Sequence, residues 1–355
     1  MRVGIVGLGF GALVHLPAFR SEGWEIGAVC ARNRDKARAA ADAAGVADVH
    51  TDPAELFARG DIDAIAISTP PGTHHPLTMA ALAAGKHVVC EKPFALTAAQ
   101  ALEMRDAAAR AKRTAMVAHE FRFAPQRRFI KHLVADGYIG RFNLCTIELF
   151  LDRYVTAQPR PLAWMSYKAE GGGVLGALGS HYIDGLRDWF GDVAKVTCKL
   201  ATLRPDVVDP STGKIVQAES DDTFAFTLDF VKGGSATMIA SFAATPARGA
   251  RITVMGDDGT LIAEQAGPNP TDDGVVIASR SGAPLAPLAT PPQFAAATDA
   301  RDHRLMSFRM LVREFTRGIG QGVSPAPSFD DGWRCQQVLD AARLSSDTGR
   351  TVAIG

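Results

Sequence analysis

The run VGIVGLGFGA places Gly7-Leu8-Gly9-Phe10-Gly11-Ala12 between an apolar strand-like segment and a helix-like one. In this G-x-G-x-x-G/A pattern Gly7 permits a tight turn and Gly9 lets the main chain approach a pyrophosphate. The small Ala12 lets helix and strand lie close, with the anion at the helix N-terminus. Alone the motif is weak; after a strand and at the head of a βαβ series it is a strong dinucleotide signal. The next strand-like run ends in VCARNRDK, where Ala31 stands in place of the acid that would meet a ribose 2′-hydroxyl. No charge there repels a 2′-phosphate, and Arg32, beside Asn33 and with Arg34, offers it a partner, so NADP is the expected cofactor and NAD the alternative. A second chemical stretch is GGGVLGALGSHYID, residues 171–184. It sets His181 and Asp184 three apart on one helix face, and an imidazole exchanges protons near neutrality without help.

These residues need elements to hold them. Up to residue 120, buried strand-like runs (RVGIVG, EIGAVCA, DAIAIST, HVVC, TAMVAH) alternate with helix-like ones. That alternation predicts a doubly wound parallel sheet with right-handed crossovers, a Rossmann domain over 1–120. From 121 to 355 the pattern changes to a helix near 125–136 and long alternating strands: FNLCTIELFL, KVTCKLATLR, TFAFTLDFV, GSATMIASFAA and RITVMG. Lys232-Gly233-Gly234 is a hairpin signal between two of them. The second domain is therefore read as α+β, with an open, mainly antiparallel sheet carrying substrate binding and oligomerisation. Segments 203–219 and 265–298 read as mobile loops. The run SFDDGWRCQQVLDAARLSSDTG reads as a closing helix with Ser328 as N-cap and Gly349 past its end.

Composition excludes several classes. The 355-residue chain has 38 basic and 38 acidic side chains, so no net field draws it to nucleic acid or an acidic membrane. The basic, aromatic stretch RFAPQRRFIKH reads as a solvated helix face rather than a nucleic-acid surface. Its five cysteines are scattered through apolar runs without metal-ligand spacing, which points to thiols in a reducing compartment. No apolar run approaches the ~20 residues of a membrane span, and the N-terminus enters a strand at once, so a cytoplasmic location is expected.

Three stretches in order, GLGFGALVHLPAF, ISTPPGTHHPLTMAALAAGKHVVCEKPFALT and GGGVLGALGSHYID, resemble the Gfo/Idh/MocA oxidoreductases, which include glucose–fructose oxidoreductase and inositol dehydrogenases. The resemblance covers nearly the whole chain. It implies that Thr69, Pro70 and His74 line the cofactor cleft, and that Glu91 and Lys92 lie near the nicotinamide ribose ahead of a cis Pro93. It implies hydride transfer on a sugar, inositol or related polyol or keto compound, with Lys92 and His181 exchanging the proton of the substrate oxygen. Lys92 follows the apolar strand HVVC, which partly desolvates its amine. The family's usual aspartate four residues before the histidine is here Ala177. Asp184 matches a second family aspartate and is expected to orient His181 or bind a hydroxyl. Glu120, Arg122 and Trp164 are further candidates for the substrate, and a homodimer or homotetramer is expected. The rival readings are a non-catalytic NADP-binding sensor of the same fold, and a protein that keeps its nucleotide through turnover.

Overall fold

A computed structural model describes residues 1–265, 275–294, 299 and 301–355. The chain forms two compact units: Met1–Glu120 with Thr298–Gln336, and Phe121–Ala297 with Gln337–Gly355.

The first unit holds strands β1 (Arg2–Val6), β2 (Glu25–Cys30), β3 (Val49–His50), β4 (Ala64–Ile67), β5 (His87–Cys90) and β6 (Ala115–Val117). They make one parallel sheet in the order β3-β2-β1-β4-β5-β6. The order reverses beside β1, and ligands of doubly wound sheets bind outside the carboxyl ends at such a switch point. Helices α1 (Leu16–Ser21), α2 (Arg34–Ala43), α3 (Pro53–Phe57), α4 (His74–Ala83) and α5 (Ala98–Ala111) connect the strands. Val3, Ile5, Val29, Ile65, Ile67, Val88 and Met116 are wholly buried, as expected where helices cover both faces of a parallel sheet.

The second unit opens with α6 (Pro125–Ala135), its first turn fixed by Pro125. Strands β7 (Phe142–Phe150), β8 (Arg160–Pro161), helix α7 (Ser180–Phe190), β9 (Val193–Ala201), β10 (Asp206–Val208), β11 (Ile215–Gln217), β12 (Thr223–Phe230), β13 (Ser235–Ser241), β14 (Gly249–Gly256), β15 (Gly259–Gln265), β16 (Val276–Arg280) and β17 (Ala286–Leu288) follow. With β18 (Val352–Ala353) they give a nine-stranded sheet, β17-β16-β15-β14-β7-β13-β12-β9-β18, antiparallel except for the β7–β13 pair. Alternation sets one face inward: Cys145, Ile147, Leu149, Phe224, Phe226, Leu228 and Met238 are buried. Phe190 of α7 stacks on Phe142 at 3.7 Å between ring centroids and meets Phe230 edge-on, which fastens the helix to that face. The Lys232-Gly233-Gly234 hairpin forms between β12 and β13, with φ of +90° and +79° at its two glycines.

Three expectations change. Residues 298–336 were placed in the second domain but pack into the first unit. Helix α8 (Leu305–Gln321) sets the wholly buried Phe315 against Trp24, ring centroids 5.9 Å apart, and Trp24 donates to Thr316. Burying each such ring contributes about 2 kcal/mol. Arg309 and Arg313 close on Glu22, and the first turn of α9 (Phe329–Thr348) sets Phe329 against Phe94. The supposed loop 203–219 contains β10 and β11, which form a small sheet with β8. Within 265–298, residues 276–280 and 286–288 are strands; 266–274 and 295–298 lie outside the described residues. The closing helix starts at its cap as read: Ser328 N donates to Asp331 Oδ2 at 2.7 Å.

Candidate active site

Both chemical stretches lead into π-helical turns, Gly11–His15 and Leu175–Gly179, each running straight into an α-helix. Such turns gather at functional sites, and nothing in the residue pattern announced them.

In the first unit Gly7 has φ +95°, and a Cβ there would sit 2.3 Å from Ser68 O, so only glycine fits between β1 and the end of β4. At Gly9 a Cβ would meet nothing within 4 Å of protein, which leaves main chain open to a ligand. Close packing of the turn falls to Gly11, whose Cβ would lie 3.2 Å from Ile5, rather than to half-buried Ala12. The Arg304 guanidinium lies 5.2 Å from the Phe10 ring, held there by Asp302. Arg32 is exposed after β2. Asn33, expected at the cofactor, spends its side-chain oxygen on α2, accepting Lys36 N at 2.9 Å.

Beyond β4 the Thr73 hydroxyl donates to that of Thr69 at 2.7 Å. His74, expected to line the cleft, is wholly buried, its Nε2 2.8 Å from Thr69 O and its Nδ1 3.0 Å from Pro93 O. Burial pushes the ring toward its neutral form, against the two carbonyls, each of which calls for a ring N–H. His74 thus braces the loops after β4 and β5 to one another. The Lys92–Pro93 peptide is cis. Lys92, its side chain one-fifth exposed, keeps Nζ 4.0 Å from Glu91 Oε2. Glu91 is buried, and its other oxygen meets His15 Nε2 at 2.8 Å. Burial works against the Glu91 carboxylate, but His15 and Lys92 together hold it below the usual range. Glu120 emerges after β6, 4% exposed, and burial with the neighbouring Glu91 charge pushes its carboxyl up to about 8.

In the second unit His181 is 2% exposed, its ring stacked on Phe121 at 3.8 Å and 8°. Asp184, read as a catalytic partner of His181, is wholly buried, and Arg122 donates to both its oxygens, at 2.5 and 2.6 Å. Arg122 also reaches Asp188 at 3.0 Å. Two of the predicted residues are therefore brought together, though as each other's partners: the acid answers a buried guanidinium, which an unpaired site could not tolerate. The face-sharing assumed for Ala177 and His181 holds in an α-helix, whereas Ala177 lies in the wider π turn.

The glycine run has its own explanation. A Cβ on Gly172 would fall 2.5 Å from Met165 O, and one on Gly173, with φ +108°, 2.2 Å from Asp221 Oδ1. The run passes under the short turn Trp164–Ser166 while Asp221 Oδ2 accepts Leu175 N at 2.7 Å. Half-buried Trp164 is thus fixed beside the stretch that carries His181. Burial raises the Asp221 carboxyl to about 6, against the pull of Leu175 N and Arg343. Because the folded value lies above the unfolded one, this group's contribution is complete at low pH and is lost as pH climbs to about 6. Thermal unfolding at pH 4 and pH 7 should therefore show Asp221→Asn losing less stability over that interval than the parent. Parallel curves would refute the assignment.

His15, Arg304, Phe121 and Arg127 were not singled out in the sequence. Arg127, buried with its guanidinium 4.5 Å from the Tyr182 ring, belonged to the stretch read as a solvated face. Its only signal was a helical position among apolar neighbours.

A parallel sheet with a glycine fingerprint at its switch point, joined to an α/β unit with a large mixed sheet, defines a nicotinamide-nucleotide oxidoreductase architecture. Residues 1–119 match the model described as oxidoreductase family, NAD-binding Rossmann fold, and 131–354 match that family's C-terminal alpha/beta domain. The chain belongs to the Gfo/Idh/MocA oxidoreductase family, and it is an oxidoreductase with an NAD-binding Rossmann domain. D-apiose dehydrogenase of Paraburkholderia graminis is 27% identical, covering 99% of this chain and 88% of that one. The scyllo-inositol 2-dehydrogenase (NADP(+)) of Bacillus subtilis is 28% identical over 82% of this chain and 79% of its own. The crystal structure of an oxidoreductase domain protein from Kribbella flavida superposes with TM-score 0.89 at 28% identity, covering 99% and 98% of the two chains. No helix among the described residues is long and apolar enough to cross a membrane.

Proposed function

We propose that the protein is an NADP(H)-dependent dehydrogenase or reductase of a sugar, inositol or related polyol or keto compound. The observation that carries this reading is the placing of the Gly7–Gly11 turn and Lys92 at the carboxyl ends of β1 and β5, which flank β4 in one sheet. The bound nucleotide supplies or accepts the hydride. Gly7, Gly9 and Gly11 shape the main chain that receives its pyrophosphate, while His74 holds the loops carrying Thr69, Pro70 and Pro93 in register. Lys92 holds or releases the proton of the substrate oxygen, its position set by the Glu91–His15 pair beneath it. His181, oriented by its stack on Phe121, is the second proton-exchanging group, and Trp164 is the residue we assign to the substrate wall. Arg122 and Asp184 serve this reading by fixing the helix that bears His181. An assembly of two or four copies remains part of the proposal.

The exposed Arg32 after β2, with no acid before it, supports the choice of NADP(H), as does the NADP(+) in the name of the Bacillus subtilis relative. A panel of aldoses, inositols, anhydrosugars and their keto forms, followed at the nicotinamide absorbance, tests the activity. A charged hydrogen bond to the 2′-phosphate should favour NADPH over NADH by about tenfold or more in kcat/KM, and Arg32→Glu should erase that margin. Tight nucleotide binding without turnover on the panel would overturn the enzyme reading, and an NADH preference would overturn the cofactor choice.

A further inference from the structure

We propose that Glu120 is a proton carrier for Lys92: it holds the proton that the lysine spends on the substrate oxygen and restores it after each reduction. The inference rests on the role proposed for Lys92.

The main chain puts the two residues at neighbouring strand ends. Cys90 and Val117 pair at the ends of β5 and β6, and Ala118 N donates to Cys90 O at 2.8 Å, so the chain leaving β6 stays beside the Glu91–Lys92 turn. Glu120 is buried there, and its Oε2 has no hydrogen-bond partner among the described residues. An orphaned carboxylate oxygen in such a place is costly; a carboxyl that carries a proton is not charged at all. The groups around it favour the protonated form. Glu91 is charged and already matched by His15 and Lys92. Arg304, the other cation near Glu120, gives the Nε and Nη2 edge of its guanidinium to Asp302. His119, also buried, precedes it in the chain. Two carboxyl groups thus share one nearby ammonium, and the one without the close partners keeps a proton. Lys92 and Arg304 pull Glu120 down, but burial and the Glu91 charge prevail, so the carboxyl is protonated below about pH 8.

In reduction, the carbonyl carbon receives a hydride from the nucleotide while its oxygen takes a proton from the Lys92 ammonium. The Glu120 O–H bond then breaks, its proton passes to the Lys92 amine, and the carboxylate left behind is reprotonated from solvent. One hydride and one proton are consumed per carbonyl, and oxidation runs the same transfers backward. Glu120 stands one group away from the substrate and is a positioning and relay residue, not the acid that touches the reacting oxygen.

The test compares the parent protein with Glu120→Gln and Glu120→Asp. Carboxyl-labelled glutamate followed by carbon NMR reads Glu120 directly, without turnover. One signal should titrate near pH 8 and vanish in Glu120→Gln. With a substrate from the panel, Glu120→Gln should lower kcat for reduction by about tenfold or more at pH 7. KM and nucleotide affinity should hold, the fall in rate above about pH 8 should flatten, and Glu120→Asp should recover part of the loss. A carboxyl that titrates in the ordinary range, or a Glu120→Gln profile matching the parent, would overturn the relay. Lys92→Ala separates the two ideas. Full turnover in that variant would remove the lysine role on which the relay depends. A dead Lys92→Ala beside an unaffected Glu120→Gln would remove the relay alone.

Discussion

Lys92→Ala is expected to lower kcat/KM by about two to four orders of magnitude, the usual contribution of a positioned proton donor, while leaving the fold and nucleotide affinity nearly intact. The side chain is one-fifth exposed and its Nζ lies 4.0 Å from Glu91 Oε2, at the edge of ion-pair distance, so truncation removes little burial there. Glu91 would lose one of its two supporting cations but keep His15 at 2.8 Å. Nucleotide titration and thermal unfolding should therefore be close to the parent while turnover collapses. Lys92→Arg should recover little, because a guanidinium remains protonated and cannot act as a base. A Lys92→Ala protein with full turnover would refute the mechanism; one that lost nucleotide affinity in step with rate would assign the lysine to binding.

Asp184→Ala is expected to cost about 3–5 kcal/mol of stability, the penalty for breaking a buried ion pair from one side. Arg122 would be left buried beside Asp188, whose charge it shares with Lys131. Arg122→Ala should cost a similar amount, and the double variant clearly less than the sum, because either change alone strands the partner's charge. Urea unfolding of the four proteins measures this coupling. It also distinguishes the structural role from the catalytic one first read for Asp184. A catalytic acid would lower kcat with an unchanged unfolding midpoint; the bidentate pair predicts a lower midpoint with most of the residual kcat kept in whatever fraction folds. Additive single effects would refute the pairing.

The two functional stretches were legible because their chemistry is local. Gly7 and Gly9 announce a turn by type and spacing, HVVC announces a buried strand, and alternation along FNLCTIELFL announces a sheet with one covered face. The contacts that decide each candidate's role were not legible, because they join distant positions. His15 meets Glu91 across 76 residues and Arg122 meets Asp184 across 62. No periodicity spans such distances, so Arg122 and Asp184 read as two separate site residues. His74 and Asn33 illustrate the complementary error: their positions in the motifs were right, while their polar atoms are taken by Thr69, Pro93 and Lys36. The segment 298–336 was assigned by its neighbours in the chain, since nothing in its composition tells which sheet its aromatic rings cover. The π turns escaped because the glycines that allow them allow an α-helix equally.

The chain passes between its two units three times, at residues 120, 297 and 336. Synthesis therefore delivers the dinucleotide sheet well before Phe308, Phe315 and Phe329, with most of the second unit made in between. Through that interval Phe19, Trp24 and Phe94 lack the rings of Phe315 and Phe329 that pack on them, and the nascent first unit offers an apolar surface to anything nearby. A recombinant fragment ending at residue 120 would carry the same open surface permanently. The fingerprint can be read from Gly7 to Ala12, yet the unit that must hold it is completed only once Phe308, Phe315 and Phe329 have been made.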